Sequence, residues 1–330
     1  MRTRPGSAMS LRSHLAVAAV AVAGALTLAA CGSSSSPGST ASGTSSAGGN
    51  NKPIVVASFN FGESQLLAAM YVDVLKKAGF DASTKSLGAR EIVEPALEKS
   101  SANGGVDVVP EYLSTFTEFL NVKAHGKNAP PMASPDVNAT LANAKTLAAN
   151  VNIDVLTPSA ATDQNAFAVT KDFATKNNLT KLSDLASYSG GPLVLGGPPE
   201  CPTRPYCEPG LEKTYGIHFT GFKSLDAGGP LTKKALQQGK IQVGLVFSSD
   251  AGIEVYGLQV LDDDKHLQNV DAIVATVNKS VDSPALDAAL NGVAAALTTD
   301  ELVQLNKMVD VDGQDPATVA QQWLSSKGLA

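Results

Sequence analysis

Aromatic side chains are scarce in this 330-residue sequence, at 5%, and it holds only three cysteines, four histidines and one tryptophan. So thin a supply of soft ligands leaves little from which to build a metal centre of three or four donors. Clustered lysine and arginine are missing after the first dozen residues and the net charge is -6, which argues against a nucleic-acid partner. No G-x-x-x-x-G-K-[ST] loop, H-E-x-x-H, G-x-S-x-G elbow or S-x-x-K occurs, and this disfavours a secreted hydrolase. Beyond the N-terminus the histidines are His125, His218 and His266, each in a different segment. The run "DDDKH" (262–266) reads as a solvated turn, and "VDVDGQDPA" (309–317) puts its glycine at the fourth loop position, where a calcium loop needs the sixth. The latter reads better as a turn between helices, with Asp315-Pro316 starting the last one. We therefore expect no metal, no cofactor and no catalysis.

What is present begins with a leader. Arg2, Arg4 and Arg12 precede an apolar run from Leu15 to Ala30, and a Gly/Ser-rich stretch follows. The run is shorter than the roughly 20 residues of a spanning helix and has the layout of a secretory signal. Its end, Leu28-Ala29-Ala30-Cys31, looks like the lipobox of bacterial lipoproteins. We expect a signal peptide over 1–30, lipidation of Cys31, a tether over 31–52 and a place on the outer face of the cytoplasmic membrane. Export favours disulfides, and Cys201 and Cys207 remain as an even pair without a neighbouring histidine or C-x-x-C spacing. They read as a structural disulfide that shapes "PTRPY".

From residue 52 on, short apolar strands alternate with helical periodicities. "KPIVVAS" reads as a strand, and Glu63 to Ala78 as a helix with apolar residues at Leu66, Leu67, Met70, Tyr71, Val74 and Leu75. Strands are expected at "FDASTKSL", "VDVVP", "NIDVLT", "NAFAVT", "PLVLGG", "IQVGLVF" and "AIVATV", with helices between them and three helical stretches after Asp282. This alternation favours an α/β fold with largely parallel sheets. "GGVDVVPEYLST" and "GKIQVGLVFSSD" share a plan in which a glycine turn and a short strand end in a polar or aromatic cluster. In open α/β sheets that end of the strand binds ligands, and two such ends facing each other would form a cleft.

"IVVASFNFGESQLLAAMYVDVLKKAGFDA", "VDVVPEYLSTFTEFL", "AFAVTKDFATKNNLTKLSDLA", "GLEKTYGIHFTGFKSLDAG" and "LQVLDDDKH" resemble, in order, blocks of the osmoprotectant-binding proteins, receptors of ABC importers for glycine betaine, carnitine, choline and proline betaine. The resemblance spans about 53–327. It implies a bilobal type II periplasmic-binding fold with two hinge crossings, lobe 1 at 53–158 plus 263–330 and lobe 2 at 159–262. It also implies a monomeric receptor that closes on a small quaternary amine and docks on ABC permease subunits.

Matched position by position, the resemblance points to Asn60, Phe61 and Glu63 at the first strand's end. It makes Tyr112 an aromatic wall, with Glu111 near the cation or holding the lobe edges, and Thr115 as a hydroxyl donor. It puts Asp163, Gln164 and Asn165 at the cleft entrance, Arg204 on the ligand carboxylate, and Phe247, Ser248 and Ser249 at a second strand end. Departures are Phe247 where a tyrosine is common, Leu231 near a usual aromatic, and the loop "CPTRPYC", in which Tyr206 restores an aromatic. The alternative implied by this thinner aromatic set is a ligand-sensing or envelope-assembly lipoprotein of the same fold with a non-betaine ligand.

Overall fold

The computed structural model describes residues 53–330, and the expected leader, Cys31 and tether lie outside the described residues. The chain opens with β1 (Ile54–Ser58), α1 (Gly62–Lys77), β2 (Ala82–Ser86), α2 (Arg90–Lys99), β3 (Val108–Tyr112), α3 (Leu113–His125), α4 (Val137–Ala149) and β4 (Ile153–Val155). It then crosses to a second set: β5 (Asn165–Thr170), α5 (Lys171–Asn177), α6 (Leu182–Leu185), β6 (Val194–Gly197), α7 (Glu208–Tyr215), β7 (Gly221–Ser224), α8 (Pro230–Gln237), β8 (Val243–Phe247) and β9 (Leu258–Val260). A second crossing returns it to β10 (Ile273–Asn278), α9 (Pro284–Ala296), α10 (Thr299–Asn306) and α11 (Pro316–Ser326).

The strand orders are β2-β1-β3-β10-β4 and β7-β6-β8-β5-β9. β1 runs parallel to β2 and β3, and β6 parallel to β7 and β8, whereas β10 is antiparallel to β3 and β4, and β5 to β8 and β9. The sheets are largely parallel, as expected, but each carries one reversed strand. The reason is topological. β5 and β10 are the strands that follow a crossing, so each enters its sheet from the cleft and must run against its neighbours. The crossings are tied together: Ser159 N donates to Ile273 O at 2.9 Å, Ile273 N to Ala161 O at 3.0 Å and Asp163 N to Asp271 O at 2.9 Å.

Burial follows from the periodicities. The first core gathers Val56, Leu66, Leu67, Met70, Tyr71, Val108, Phe116, Val274 and Trp323. In β5, Phe167 and Val169 join one core of the second sheet while Ala168 joins the other, the period-two alternation of a strand covered on both faces. Helix ends carry their signals: α1 is followed by Gly79 at φ +90°, and Asp315 accepts from Thr318 N at 2.9 Å to start α11. Three elements escaped the sequence reading, one of them β9, an edge strand of only three residues. α3 was hidden because "LSTFTEF" interrupts its apolar face with hydroxyl and acidic residues, and β7 is a short four-residue edge strand with little burial.

Gly105, just before β3, is required by close approach, because a Cβ there would lie 2.0 Å from the Ala96 carbonyl oxygen. Neighbouring Gly104 has φ +82° but open space around it. Gly105→Ala is expected to destabilise by about 2–3 kcal/mol and Gly104→Ala by about 1 kcal/mol, a ranking that urea unfolding checks.

Candidate functional site

The C-terminal ends of β1, β3, β6, β7 and β8, with the beginning of β5, converge on an interlobe cavity of about 470 Å³. This is the position that open α/β sheets reserve for ligands, and the volume suits a small molecule. Four rings form one wall. Phe59 stacks on Phe61 at 5.9 Å, Phe61 meets Tyr112 at 6.1 Å, and Phe61 meets Phe247 of the opposite lobe at 5.4 Å between centroids. Phe61 and Phe247 also line a second cavity of about 370 Å³, so the pair stands as a partition between the two.

Beside this wall sits Asp163, 2% exposed. Its Oδ1 accepts from Ser249 N at 2.8 Å and Ser248 Oγ at 3.2 Å, while Oδ2 has no hydrogen-bond partner among the described residues. Burial and then the neighbouring Glu63 push its carboxyl well above the ordinary range, and the serine hydrogen bonds only partly offset them. Glu63 lies behind Tyr112, accepting from Tyr112 Oη at 2.7 Å, Ser249 Oγ at 2.8 Å and Asn306 Nδ2. Burial raises its pKa as well, against the pull of those three donors. Asp271 completes the acidic set. It accepts from Ser114 N at 2.6 Å and Thr115 N at 3.3 Å in the first turn of α3, whose orphan N–H groups favour a carboxylate. Burial nevertheless raises it to about 7, with Arg90 opposing.

Both cavity-lining guanidinium groups are already engaged. Arg90 forks onto Glu111 with bonds of 2.9 and 2.7 Å, at 9% and 2% side-chain exposure, and its Cζ lies 5.4 Å from the Phe59 centroid. Arg204 forks onto Glu91 across the cleft, Nε to Oε1 at 3.1 Å and Nη2 to Oε2 at 2.9 Å, with 30% and 40% exposure. A pair so exposed contributes only about 0–1 kcal/mol. Arg204 stands in the loop closed by the Cys201–Cys207 disulfide, whose cysteines are packed into the second lobe's core. From the same loop Tyr206 accepts a hydrogen bond from Asn269 Nδ2 at 3.0 Å through its hydroxyl.

The sequence profile of the substrate binding domain of ABC-type glycine betaine transport systems matches residues 52–326. The chain belongs to this family. The glycine betaine-binding protein YehZ of Escherichia coli is 30% identical over 84% of this chain and 91% of its own length. A glycine-betaine-binding protein of Pseudomonas aeruginosa is 26% identical over 82% of this chain and 86% of its own. Among solved structures, a glycine betaine/carnitine/choline ABC transporter protein superposes with a TM-score of 0.62 at 25% identity, covering 84% of this chain and 99% of that one. Members of the glycine betaine substrate-binding family are transport proteins rather than enzymes, and substrate-binding proteins of ABC importers are extracytoplasmic. Among the described residues no helix is long and apolar enough to cross a membrane.

Of the residues that family resemblance singled out, Asn60, Phe61, Tyr112, Thr115, Asp163, Asn165, Arg204, Tyr206 and Phe247 all line the one cavity. Five others do not. Glu111 is turned away from it and held by Arg90 of its own lobe, so it neither reaches a cation nor links the lobe edges. Gln164 and Ser248 bond each other, Gln164 N to Ser248 Oγ at 3.0 Å and Ser248 N to Gln164 O at 2.9 Å. Glu111 and Gln164 each adjoin a lining residue of the same strand or its approach, where neighbours point to opposite sides, and Ser248 begins the turn after β8. Glu63, in the first turn of α1, and Ser249 reach only the second cavity. The Thr115 hydroxyl donates to Tyr112 O at 3.3 Å and accepts from Arg90 at 3.1 Å, so its proton is already used within the lobe. Phe59, Arg90, Glu91 and Asp271 are wall residues that motif matching missed. Their signal was positional: Phe59 directly follows β1, Arg90 opens the helix after β2, and Asp271 stands just before reversed strand β10.

The disulfide loop is held by few bonds of its own, Arg204 N to Cys201 O at 3.3 Å and Cys207 N to Arg204 O at 3.0 Å. Closing so short a loop stabilises the fold by only about 2 kcal/mol. Reduction is therefore expected to act locally. Amide exchange at Arg204 and Cys207 should accelerate about tenfold or more while β6 and β8 stay protected, and equal acceleration in the strands would show a global role.

Proposed function

We propose that this receptor binds betaine-type compatible solutes in the interlobe cavity. The quaternary ammonium packs on Phe61, Tyr112 and Phe247 beside Asp163, and a ligand carboxylate turns toward Arg204. One observation carries the reading: Asp163, which lines a cavity walled by aromatic faces, keeps a buried carboxyl oxygen, Oδ2, without a hydrogen-bond partner among the described residues. A trimethylammonium group has no N–H to donate. It is held by ring faces and by an acceptor that needs charge rather than a donated hydrogen. The names of the related glycine betaine-binding proteins support the same ligand class. In this reading the protein works as a monomer, anchored through a lipid on Cys31, and delivers its ligand to ABC permease subunits that favour the closed form.

Titration calorimetry of the purified protein against glycine betaine, choline, carnitine and proline betaine tests the ligand class. No heat from any of them up to millimolar concentration would refute it. Asp163→Asn separates binding from folding. Because burial already disfavours the charged carboxyl, the substitution should leave the melting temperature unchanged or higher, yet weaken choline about tenfold or more.

The pH dependence has a definite sign. In the free protein the raised Asp163 pKa favours the protonated form as pH falls. A bound cation favours the ionised form, so binding expels protons and tightens as pH rises above the ordinary carboxylate range near 4. Because Glu63 is close enough to raise Asp163 further, the released proton belongs to the pair rather than to either residue. Calorimetry near pH 6 in buffers of different ionisation enthalpy should show up to about one proton released. Asp163→Asn should reduce that release; proton uptake instead would contradict the assignment.

A further inference from the structure

We infer that Glu91 is a specificity-determining residue of this cavity: by holding the Arg204 fork across the cleft, it opposes ligands whose anionic end needs that arginine and favours cations without one. The inference rests on the ligand class proposed above, and it concerns which members of that class bind best.

The argument starts from what a ligand carboxylate can find in this wall. Arg90 is closed to it, because taking the Arg90 fork would strand Glu111 with 2% exposure and no other cation to answer it. Lys123 is held by Glu94, through bonds of 3.0 and 2.9 Å, and by Glu98. Lys127 also lines the cavity, but it is exposed on the loop after α3, and an ammonium cannot reproduce a planar two-point fork. Arg204 remains. Its present partner is itself a carboxylate, so a betaine must exchange one carboxylate for another instead of gaining a free guanidinium.

Glu91 keeps its charge. Partial burial pushes its pKa up, but hydrogen bonds and charge from Arg204, its own backbone N–H and Arg90 together bring it below the ordinary range, so it stays ionised at neutral pH. After displacement it would remain at the cavity wall as a like charge facing the incoming carboxylate. A cation without a carboxylate meets none of this. It leaves the Arg204–Glu91 bridge intact across the cleft mouth and gains from the nearby negative charge. The bridge joins α2 of one lobe to the disulfide loop of the other, so it also favours closure around a cation that leaves it intact. A betaine that takes Arg204 forfeits that contribution, which moves the ratio in the same direction.

The test is the ratio of dissociation constants, choline over glycine betaine, measured by calorimetry on the intact protein and on Glu91→Gln, Arg204→Ala and the double variant. Glu91→Gln is expected to raise the ratio about threefold to fivefold, the span of an exposed ion pair. Arg204→Ala is expected to lower it, and the double variant to show no gain over Arg204→Ala alone. Glu91→Ser, also at this exposed helix start, should reproduce the increase if the glutamine variant folds poorly. An unchanged ratio in both Glu91 variants, or an equal rise with and without Arg204, would overturn the inference while leaving the ligand class standing. If neither ligand binds any of the proteins, the ligand class fails and this inference with it.

Discussion

The crossing ribbon carries two buried acids that the rest of the cleft is built around. Asp163 and Asp271 are paired through the backbone, Asp163 N donating to Asp271 O at 2.9 Å, yet their side chains serve opposite lobes. Asp163 accepts from Ser248 and Ser249 beyond β8, and Asp271 accepts from Ser114 and Thr115 at the start of α3. A carboxylate taken out of water must be answered by donors or by a cation. The helix start and Arg90 answer Asp271, but Asp163 is answered on one oxygen only. That imbalance sits at the crossing that joins the two lobes, where Asp163 N bonds Asp271 O while its side chain bonds the strand end of the second lobe.

A polar chain extends the consequence across the interface. Ser249 belongs to the second lobe's strand end, and it bonds through its backbone to Asp163 and through its hydroxyl to Glu63 of α1. Asn306 at the end of α10 joins both Glu63 and Ser249. Tyr112, whose ring forms part of the aromatic wall, gives its hydroxyl to the same Glu63. The wall that would receive a cation is therefore anchored in the network that joins the lobes. Phe247 has no polar group to anchor, and it meets Phe61 across the cleft with the rings tilted by 31°. A hydroxyl at position 247 would demand a further partner in this apolar seam, which is one physical sense in which the phenylalanine suits its place.

Much of this architecture was legible before any coordinates. The alternation of apolar strands and helical periodicities located eight of the ten strands in outline, and the resemblance supplied the two crossings that make the fold bilobal. Nine expected site residues meet in one cavity because they occupy strand ends or the disulfide loop, positions that sequence pattern can mark. The strand sense was not legible, for the direction of β5 and β10 depends on where the crossings enter each sheet. Nor was the fate of Glu111 and Gln164, which turns on single-residue alternation beside a correctly placed neighbour, or of Ser248, which falls in the turn after β8. Arg90 and Glu91 were silent for a different reason. As charged residues opening a helix they resemble any solvated first turn, and only the facing lobe reveals their partners.

The disulfide loop shows how local and tertiary constraints combine. Its two sulfurs are packed into the second core, so the loop leaves the lobe and returns to it within a few residues. What projects between them is "PTRPY", and two prolines further restrict the backbone that carries Arg204 and Tyr206. A long arginine on a flexible loop would lose much side-chain freedom in making a cross-cleft fork. A short loop stapled at both ends pays part of that loss in advance, which is why an exposed bridge to Glu91 can form with both nitrogens engaged. The same rigidity limits how far Arg204 can follow a ligand, so whatever carboxylate it binds must come to the mouth of the cavity rather than to its aromatic floor.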